Sequence, residues 1–224
     1  MDIEDFKDQN ELVLQTLKDF SNITTNLPNI LILGSVGLTS HTQNVNYYRK
    51  IKDIDTIADM AYRSEIEDQL IERGYSRSTF IGRSMPFSNI LIRYSSNRYT
   101  RFFKQDSCDL EILFTPFIYD KGRLRIELFP KFYASIPEKE LIETELLGIK
   151  FNSLSAESLY AVKQLTHNSF GRIYKDDIQK RTLDHQALMN CINIEAYKVI
   201  VKEFKITIGF IPIPIKSLLY LTDK

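Results

Sequence analysis

The sequence predicts an α+β protein whose C-terminal part is mostly helical. Three observations support this fold class. An amphipathic helical pattern opens the chain, short strand patterns follow one another through its middle, and helical patterns dominate after Pro137, where the composition changes. The chain has 224 residues, 43% of them hydrophobic and 26% charged, which is typical of a globular protein rather than of a disordered one. That length allows one large domain or two small ones.

Charge and cysteine content narrow the class of protein. The 29 basic side chains balance 29 acidic ones, so no overall basic excess indicates a nucleic-acid partner. Cys108 and Cys191 lie far apart in the sequence, which predicts neither structural zinc nor a disulfide framework and favours a reducing compartment. No stretch of about 18 apolar residues predicts a membrane span, and the acidic N-terminus is unlike a signal peptide. We therefore expect a cytoplasmic protein.

The first strand is predicted to end at a glycine turn. Residues 3–21 have apolar side chains at helical spacing, and an apolar run from Asn29 to Leu33 then predicts a strand. Gly34 and Ser35 follow, and because glycine lacks a Cβ, the backbone there can approach a ligand closely. A helix beginning near Val36 would present free N–H groups that favour phosphate. An ordinary strand-to-helix turn explains the same residues.

The second strand has two aspartates on one face. Asp53 and Asp55 are separated by Ile54, so they lie ~6.6 Å apart on the same side of a strand that rises ~3.3 Å per residue, with Ile54 towards the core. Two such carboxylates repel each other unless a cation lies between them or one takes a proton, and Mg²⁺ prefers this donor set. Basic residues just before the strand either meet phosphates or form a solvated turn: Arg49, Lys50 and Lys52.

A helix and three short strands are predicted next. The helix covers residues 63–73, with Ile66, Leu70 and Ile71 inward and Gly74 as its C-cap. The strand patterns lie at 89–94, 99–103 and 107–114. The last of these has Asp109 and Glu111 on one face. Buried carboxylates are costly unless they are paired or bound to metal, although an edge strand with one wet face also explains them.

The remaining elements lead to the helical region. Asp120-Lys121-Gly122 predicts a hairpin turn followed by a strand at 123–129. One strand is predicted at 146–154, and Ser155 is the expected N-cap of the helix after it. Two further helices are predicted at 176–191 and 194–204. The last segment is apolar but interrupted by Gly209, Pro212 and Pro214, and it has no assignment.

Three motifs in this order resemble the DNA polymerase β-like nucleotidyltransferase superfamily. They are LILGS, KDIDT and CDLEI, which match a strand ending in Gly-Ser, an Asp-x-Asp strand and a later strand with a third carboxylate. LSAESLYAVKQL followed by RIYKDDIQ is similar to a segment of small antibiotic adenylyltransferases and of abortive-infection-type toxin nucleotidyltransferases. Lys163, Lys175 and Asp176 occupy the matching positions there. The chain departs from the pattern in lacking a glycine before the basic residues and in offering both Asp109 and Glu111 as the third carboxylate.

The resemblance implies a fold and a set of site residues. The fold is the nucleotidyltransferase fold, a mixed β-sheet flanked by helices, with a catalytic domain at 1–135 and a mainly helical, substrate-binding region at 136–224. Asp53, Asp55 and Asp109 are the implied catalytic residues and the ligands of two Mg²⁺ ions, with Glu111 as the alternative third ligand. The implied nucleotide-binding residues are Gly34, Ser35, Arg49, Lys52, Lys163 and Lys175. Asp176 either joins the site or caps the helix that it opens.

The function implied is transfer of a nucleoside monophosphate from an NTP to a hydroxyl group. ATP is the expected donor, and an antibiotic-like small molecule is the expected acceptor. Two alternatives stay open: a toxin-type nucleotidyltransferase that acts on RNA or protein, and a non-catalytic nucleotide-binding protein of the same fold. The zero net charge disfavours RNA, because phosphate contacts normally require an excess of Lys and Arg. His41, His167 and His185 lack metal-ligand spacing and a partner Ser or Cys motif, and they are interpreted as structural or surface residues.

Overall fold

A five-stranded mixed sheet, here the N-terminal sheet, organises the first half of the chain. The computed structural model describes residues 1–24, 27, 29–79, 98–129, 132–170, 178–208 and 211–215. The strands of this sheet are β1 (Ile30–Ile32), β2 (Asp53–Asp59), β3 (Ser76–Thr79), β4 (Tyr99–Phe103) and β5 (Asp109–Thr115). Their order is β1-β2-β5-β4-β3, with β2 and β5 parallel and the other neighbours antiparallel. The mixed sheet that the resemblance implies is therefore confirmed.

Three helices accompany this sheet: α1 (Ile3–Thr24), α2 (Gly34–Thr42) and α3 (Arg63–Glu72). Apolar residues of α1 and α3, such as Leu17 and Leu70, are fully buried in one core with Ile54 of β2. The prediction that Ile71 points inward is wrong, since its side chain is 53% exposed. Ile66 and Leu70 are four residues apart and share a face, whereas position 71 lies a further 100° around the helix.

A second, antiparallel sheet lies beyond the first. Its strands are β6 (Phe117–Asp120), β7 (Arg123–Phe129), β8 (Phe132–Pro137), β11 (Lys205–Ile208) and β12 (Ile211–Pro214), in the order β12-β11-β8-β7-β6. The predicted hairpin turn between β6 and β7 is confirmed. Lys121 and Gly122 have φ values of 50° and 71°, as a tight two-residue hairpin requires. The boundary predicted between residues 135 and 136 falls within β8.

A separate hairpin corrects one predicted strand. The segment 146–154 is not a single strand, because β9 (Leu141–Leu146) turns back into β10 (Ile149–Leu154). Leu147 and Gly148 form the turn with φ values of 50° and 85°. Leucine rarely adopts positive φ, so the sequence carries a weak turn signal at this point. β10 also contacts β1, where the Ser153 hydroxyl donates a hydrogen bond to the Ile32 carbonyl at 2.7 Å.

The C-terminal region adds three described helices to these strands: α4 (Ala156–Phe170), α5 (Ile178–Met189) and α6 (Ile194–Glu203). Leu159, Leu188 and Val201 from these helices belong to a second buried core, which also includes Ile126 of β7. The strand predicted at 89–94 lies outside the described residues, as do Lys175 and Asp176. Within the described part of the chain, no helix combines the length and the apolar character needed to cross a bilayer.

Candidate active site

The pairing of β2 with β5 brings four carboxylates onto one face of the N-terminal sheet. Asp53 pairs with Asp109 and Asp55 with Glu111 in a parallel register. Paired residues of neighbouring strands share a face, and alternate residues along each strand do too. The intervening Ile54 is fully buried on the opposite face. We call Asp53, Asp55, Asp109 and Glu111 the acidic face.

Negative charge is disfavoured at Asp55 of the acidic face. Burial raises the pKa of its carboxyl from 3.8 to about 6, and the negative charges of Asp53 and then Glu111 add to that effect. Lys163 and Arg49 act in the opposite direction and lower this pKa. Taken together, these effects disfavour the charged form of the Asp55 carboxylate. A bound cation would stabilise that charged form.

This raised pKa predicts how stability depends on pH without metal. The unfolded chain releases the Asp55 proton near pH 4, whereas the folded chain keeps it until about pH 6. Between these values the folded state binds more protons, so the Asp55 contribution to the free energy of unfolding falls as the pH rises. We expect thermal melts in EDTA to show this fall in the wild type and a shallower one in Asp55→Asn. Equal pH slopes in the two proteins would contradict the assignment.

The two acids of β5 have partners on β4. A guanidinium nitrogen of Arg101 donates to the Asp109 carboxylate, and the Tyr99 hydroxyl donates to Glu111. Burial, followed by the nearby Glu111, raises the pKa of Tyr99, so its hydroxyl stays a proton donor. Asp109 and Glu111 are therefore engaged at the edge of the acidic face, whereas Asp53 and Asp55 lie beside each other on β2.

A divalent cation fits the donor chemistry of the acidic face. In the described part of the chain, no three Asp, Glu, His or Cys side chains converge closely enough to hold a metal ion as they stand. On β5, Asp109 and Glu111 accept hydrogen bonds from Arg101 and Tyr99 instead. Hard carboxylate oxygens under mutual repulsion are nevertheless the ligands that Mg²⁺ prefers. Asp53 and Asp55 could hold a cation, and one β5 acid could join by exchanging its β4 partner.

The glycine turn, Gly34 and Ser35, lies directly against Asp55. Gly34 has a φ of +58°, and a Cβ placed on it would lie 2.7 Å from Asp55 Cγ and closer still to Oδ2. The backbone N–H of Leu33 donates to the Asp55 carbonyl at 2.8 Å, which fixes the turn to β2. Only glycine allows this approach. The N-terminus of α2, whose first N–H groups have no acceptor within the helix, is thereby held beside the acidic face.

Two of the basic side chains predicted to bind nucleotide, Arg49 and Lys163, lie close enough to Asp55 to influence it. Arg49 is buried and donates to the Ser35 hydroxyl, and its Nε lies 3.2 Å from an oxygen of Asp184. Lys163 of α4 has its Nζ 3.8 Å from the other Asp184 oxygen. Asp184 was not predicted as a site residue, because a single aspartate in a helical segment carries no sequence signal of its own.

The remaining predicted residues lie further out. Lys52 is exposed and, with Lys50 and Asp109, lines a groove of about 410 Å³ between α1 and the start of β5. His41 contacts the Leu154 carbonyl at 2.9 Å, and the His185 ring lies 4.5 Å from the ring of Tyr160. Neither histidine adjoins the acidic face through these contacts.

Comparison with solved structures identifies the fold. No protein-family model and no curated protein sequence matches the chain. The lincomycin-bound structure of the lincosamide antibiotic adenylyltransferase LnuA matches with a TM-score of 0.56 and 16% identity, over 81% of this chain and 97% of that one. The complex of ANT(2″)-Ia with adenylyl-2″-tobramycin matches with a TM-score of 0.56 and 13% identity, over 85% and 94% of the two chains. This chain has a nucleotidyltransferase fold.

The nucleotidyltransferase fold confirms the resemblance carried by LILGS, KDIDT and CDLEI. In the fold these motifs become the β1–α2 glycine turn, β2 and β5. They are separated in sequence by about twenty to fifty residues, yet β2 lies between β1 and β5, so all three meet at Asp55. The nucleotidyltransferase fold thus places the glycine turn and the acidic face side by side.

Proposed function

We propose that the protein is an enzyme that transfers a nucleoside monophosphate from an NTP, with ATP as the expected donor, to a hydroxyl of an acceptor. The observation that carries this proposal is the parallel register of β2 and β5, which sets four carboxylates beside the glycine turn. The two similar structures contain lincomycin and adenylyl-2″-tobramycin, which supports an antibiotic-like small molecule as acceptor.

Asp53 and Asp55 are the proposed metal ligands, completed by Asp109 or Glu111. Two Mg²⁺ ions bound there would neutralise phosphate charge and act as Lewis acids on the reacting phosphoryl group. Burial raises the pKa of Asp55, and the negative charges of Asp53 and Glu111 raise it further; a bound cation would offset that repulsion, which supports such binding.

The glycine turn and the neighbouring cations are proposed to bind the triphosphate. Backbone N–H groups at the start of α2 and the Ser35 hydroxyl would donate to phosphate oxygens. Arg49 and Lys163 would add charge-assisted hydrogen bonds, which are stronger than neutral ones. Lys52 and Lys175 are further proposed contacts, the first from the exposed rim of the groove and the second from outside the described residues.

The acceptor is proposed to enter through the groove that ends at Asp109. In the reaction the acceptor oxygen bonds to the α-phosphorus, the bond to pyrophosphate breaks, and the hydroxyl proton passes to a carboxylate. Asp109 is the proposed general base because it lines both the groove and the acidic face. Asp109 would have to leave Arg101 to accept that proton.

A non-catalytic nucleotide-binding protein is the second candidate, and the acidic face argues against it. Asp55 retains a carboxylate in a position where burial and two neighbouring acids disfavour its charge. A protein that only binds nucleotide gains nothing from such a cluster, since phosphate is itself negative. A toxin-type enzyme acting on RNA or protein is distinguished from the leading proposal by its acceptor alone.

Nucleotide binding is tested first by thermal melting with ATP, GTP, CTP or UTP, each with Mg²⁺ and with EDTA. We expect one NTP with Mg²⁺ to raise the melting temperature by roughly 5–10 °C when its concentration is about a hundred times its Kd. EDTA should abolish the effect. Failure of every NTP to stabilise the protein in a metal-dependent way would contradict the enzymatic proposal.

Transfer is tested next with α-labelled NTP and a set of acceptors. The acceptors are hydroxyl-bearing antibiotics, total tRNA and bulk protein. Which of them takes up the label distinguishes a small-molecule acceptor from the RNA or protein acceptor of a toxin-type enzyme. We expect label on a small molecule together with released pyrophosphate. Stabilisation by Mg²⁺-NTP without label on any acceptor would favour the non-catalytic alternative.

A further inference from the structure

Asp184 is a buried carboxylate that the proposed reaction does not use. It lies in α5, about 150 residues after the glycine turn, and is 2% exposed. A buried carboxylate is costly unless it is paired, so its partners account for its presence. Those partners are the Tyr47 hydroxyl at 3.0 Å, Arg49 Nε at 3.2 Å and Lys163 Nζ at 3.8 Å.

Both cations held by Asp184 face the site. Arg49 uses its other end to donate to Ser35 of the glycine turn. Arg49 and Lys163 both lie close enough to Asp55 to lower its pKa. Asp184 thus connects α5 with the two positive side chains that adjoin the acidic face, and these contacts reach the glycine turn only through Arg49.

Arg49 is also fixed from the opposite direction. Asn10, at a kink in α1, donates from its amide to the Arg49 carbonyl at 3.3 Å and accepts from the Ile51 N–H at 2.6 Å. The main chain of Arg49 is therefore held by α1 and its guanidinium by α5. The buried guanidinium also donates to Ser35, so contacts at both its ends restrict the direction of the side chain.

We propose that Asp184 is a positioning residue for the triphosphate: it holds Arg49 and Lys163 in the orientation that receives phosphate beside the glycine turn. This inference rests on the proposed function. A carboxylate placed near a triphosphate repels it, so its value must come from orientation. One anion between two cations still leaves one positive charge for the phosphates.

The direction in which Asp184→Asn changes NTP affinity distinguishes a positioning role from a purely Coulombic effect of Asp184. Asp184→Asn removes a negative charge, so Coulombic repulsion alone predicts tighter NTP binding. The positioning role predicts the reverse, namely that Asp184→Asn binds NTP more weakly than the wild type. The NTP to use is the one that raises the wild-type melting temperature most. Calorimetry with this NTP and Mg²⁺ should show a Kd that is higher by about tenfold or more. In turnover, the KM for the NTP should rise while the KM for the acceptor stays unchanged.

Matched variants keep the test decisive. Asp184→Glu should restore part of the affinity, and Tyr47→Phe, which removes one hydrogen bond but no charge, should lose a smaller part. In a Lys163→Met background, Asp184→Asn should cost less, because one of the side chains it orients is gone. Asp68→Asn, on the exposed surface of α3, controls for loss of one negative charge. If Asp184→Asn does not fold, the NTP affinities of Asp184→Glu and Tyr47→Phe test the proposal instead.

The outcomes distinguish this inference from the function on which it rests. Folded Asp184→Asn that binds the NTP as tightly as the wild type, or more tightly, overturns the positioning role and leaves the proposed function standing. Equal effects of Asp184→Asn with and without Lys163 also overturn it. A wild-type protein that binds no NTP with Mg²⁺ overturns the proposed function, and the positioning role with it.

Discussion

Asp55→Asn is expected to lower nucleotidyl transfer by about a thousandfold or more, because a lost metal ligand removes several kcal/mol of transition-state stabilisation. Asp53→Asn should have an effect of similar size. The fold should survive, since an amide at position 55 removes a charge that burial and two neighbouring acids already disfavour. We therefore expect the Asp55→Asn protein to melt at the same temperature as the wild type or higher in EDTA near neutral pH. Single-turnover assays with α-labelled NTP measure the activity.

Two comparisons sharpen this prediction. Asp68→Asn makes the same chemical change on the exposed surface of α3 and should leave transfer unchanged. Asp109→Asn and Glu111→Gln decide between the two β5 acids, because the variant that also weakens Mg²⁺-dependent NTP binding identifies the third ligand. Near wild-type transfer by Asp53→Asn or Asp55→Asn would refute the assignment of the acidic face.

The local features of the site could be predicted from the sequence because they depend on near neighbours in the chain. Strand alternation puts Asp53 and Asp55 on the same side of their strand and Asp109 and Glu111 on the same side of theirs, and a glycine after an apolar run marks the turn. What the residues alone do not specify is which strands become neighbours. The parallel register of β2 with β5 involves residues more than fifty positions apart. The resemblance implied that both strands contribute carboxylates to one site, but it did not specify their pairing.

The wrong predictions, and the site residue that was not predicted, also trace to contacts between residues distant in the sequence. The hairpin of β9 and β10 depends on Leu147 accepting a positive φ, which tertiary packing imposes against its intrinsic preference. Ile71 is exposed although it is apolar, because the buried face of α3 is already filled by Ile66 and Leu70. Asp184 can be recognised as a site residue only in the folded structure, where α5 packs near Arg49. The two residues are 135 positions apart in the sequence.

Gly34→Ala is expected to lower transfer by about a hundredfold or more, since shifting a catalytic group by about 1 Å can have that effect. The new Cβ would lie 2.7 Å from Asp55 Cγ, so either the carboxylate or the turn must move. Alanine at a φ of +58° adds about 1–2 kcal/mol of backbone strain to that displacement. Stability should therefore fall as well, and Mg²⁺-NTP should no longer stabilise the protein in thermal melts. Activity is to be measured per folded molecule.

Gly122→Ala provides the matched control for this change. Gly122 has a φ of +71°, and a Cβ there would meet no atom within 4 Å, so this variant carries the backbone strain without the collision. It should lose about 1–2 kcal/mol of stability and keep its transfer activity. The excess destabilisation of Gly34→Ala over Gly122→Ala measures the collision, and it should shrink in an Asp55→Ala background, where Cγ and Oδ2 are absent. If Gly34→Ala keeps full transfer, the glycine turn does not set the position of Asp55.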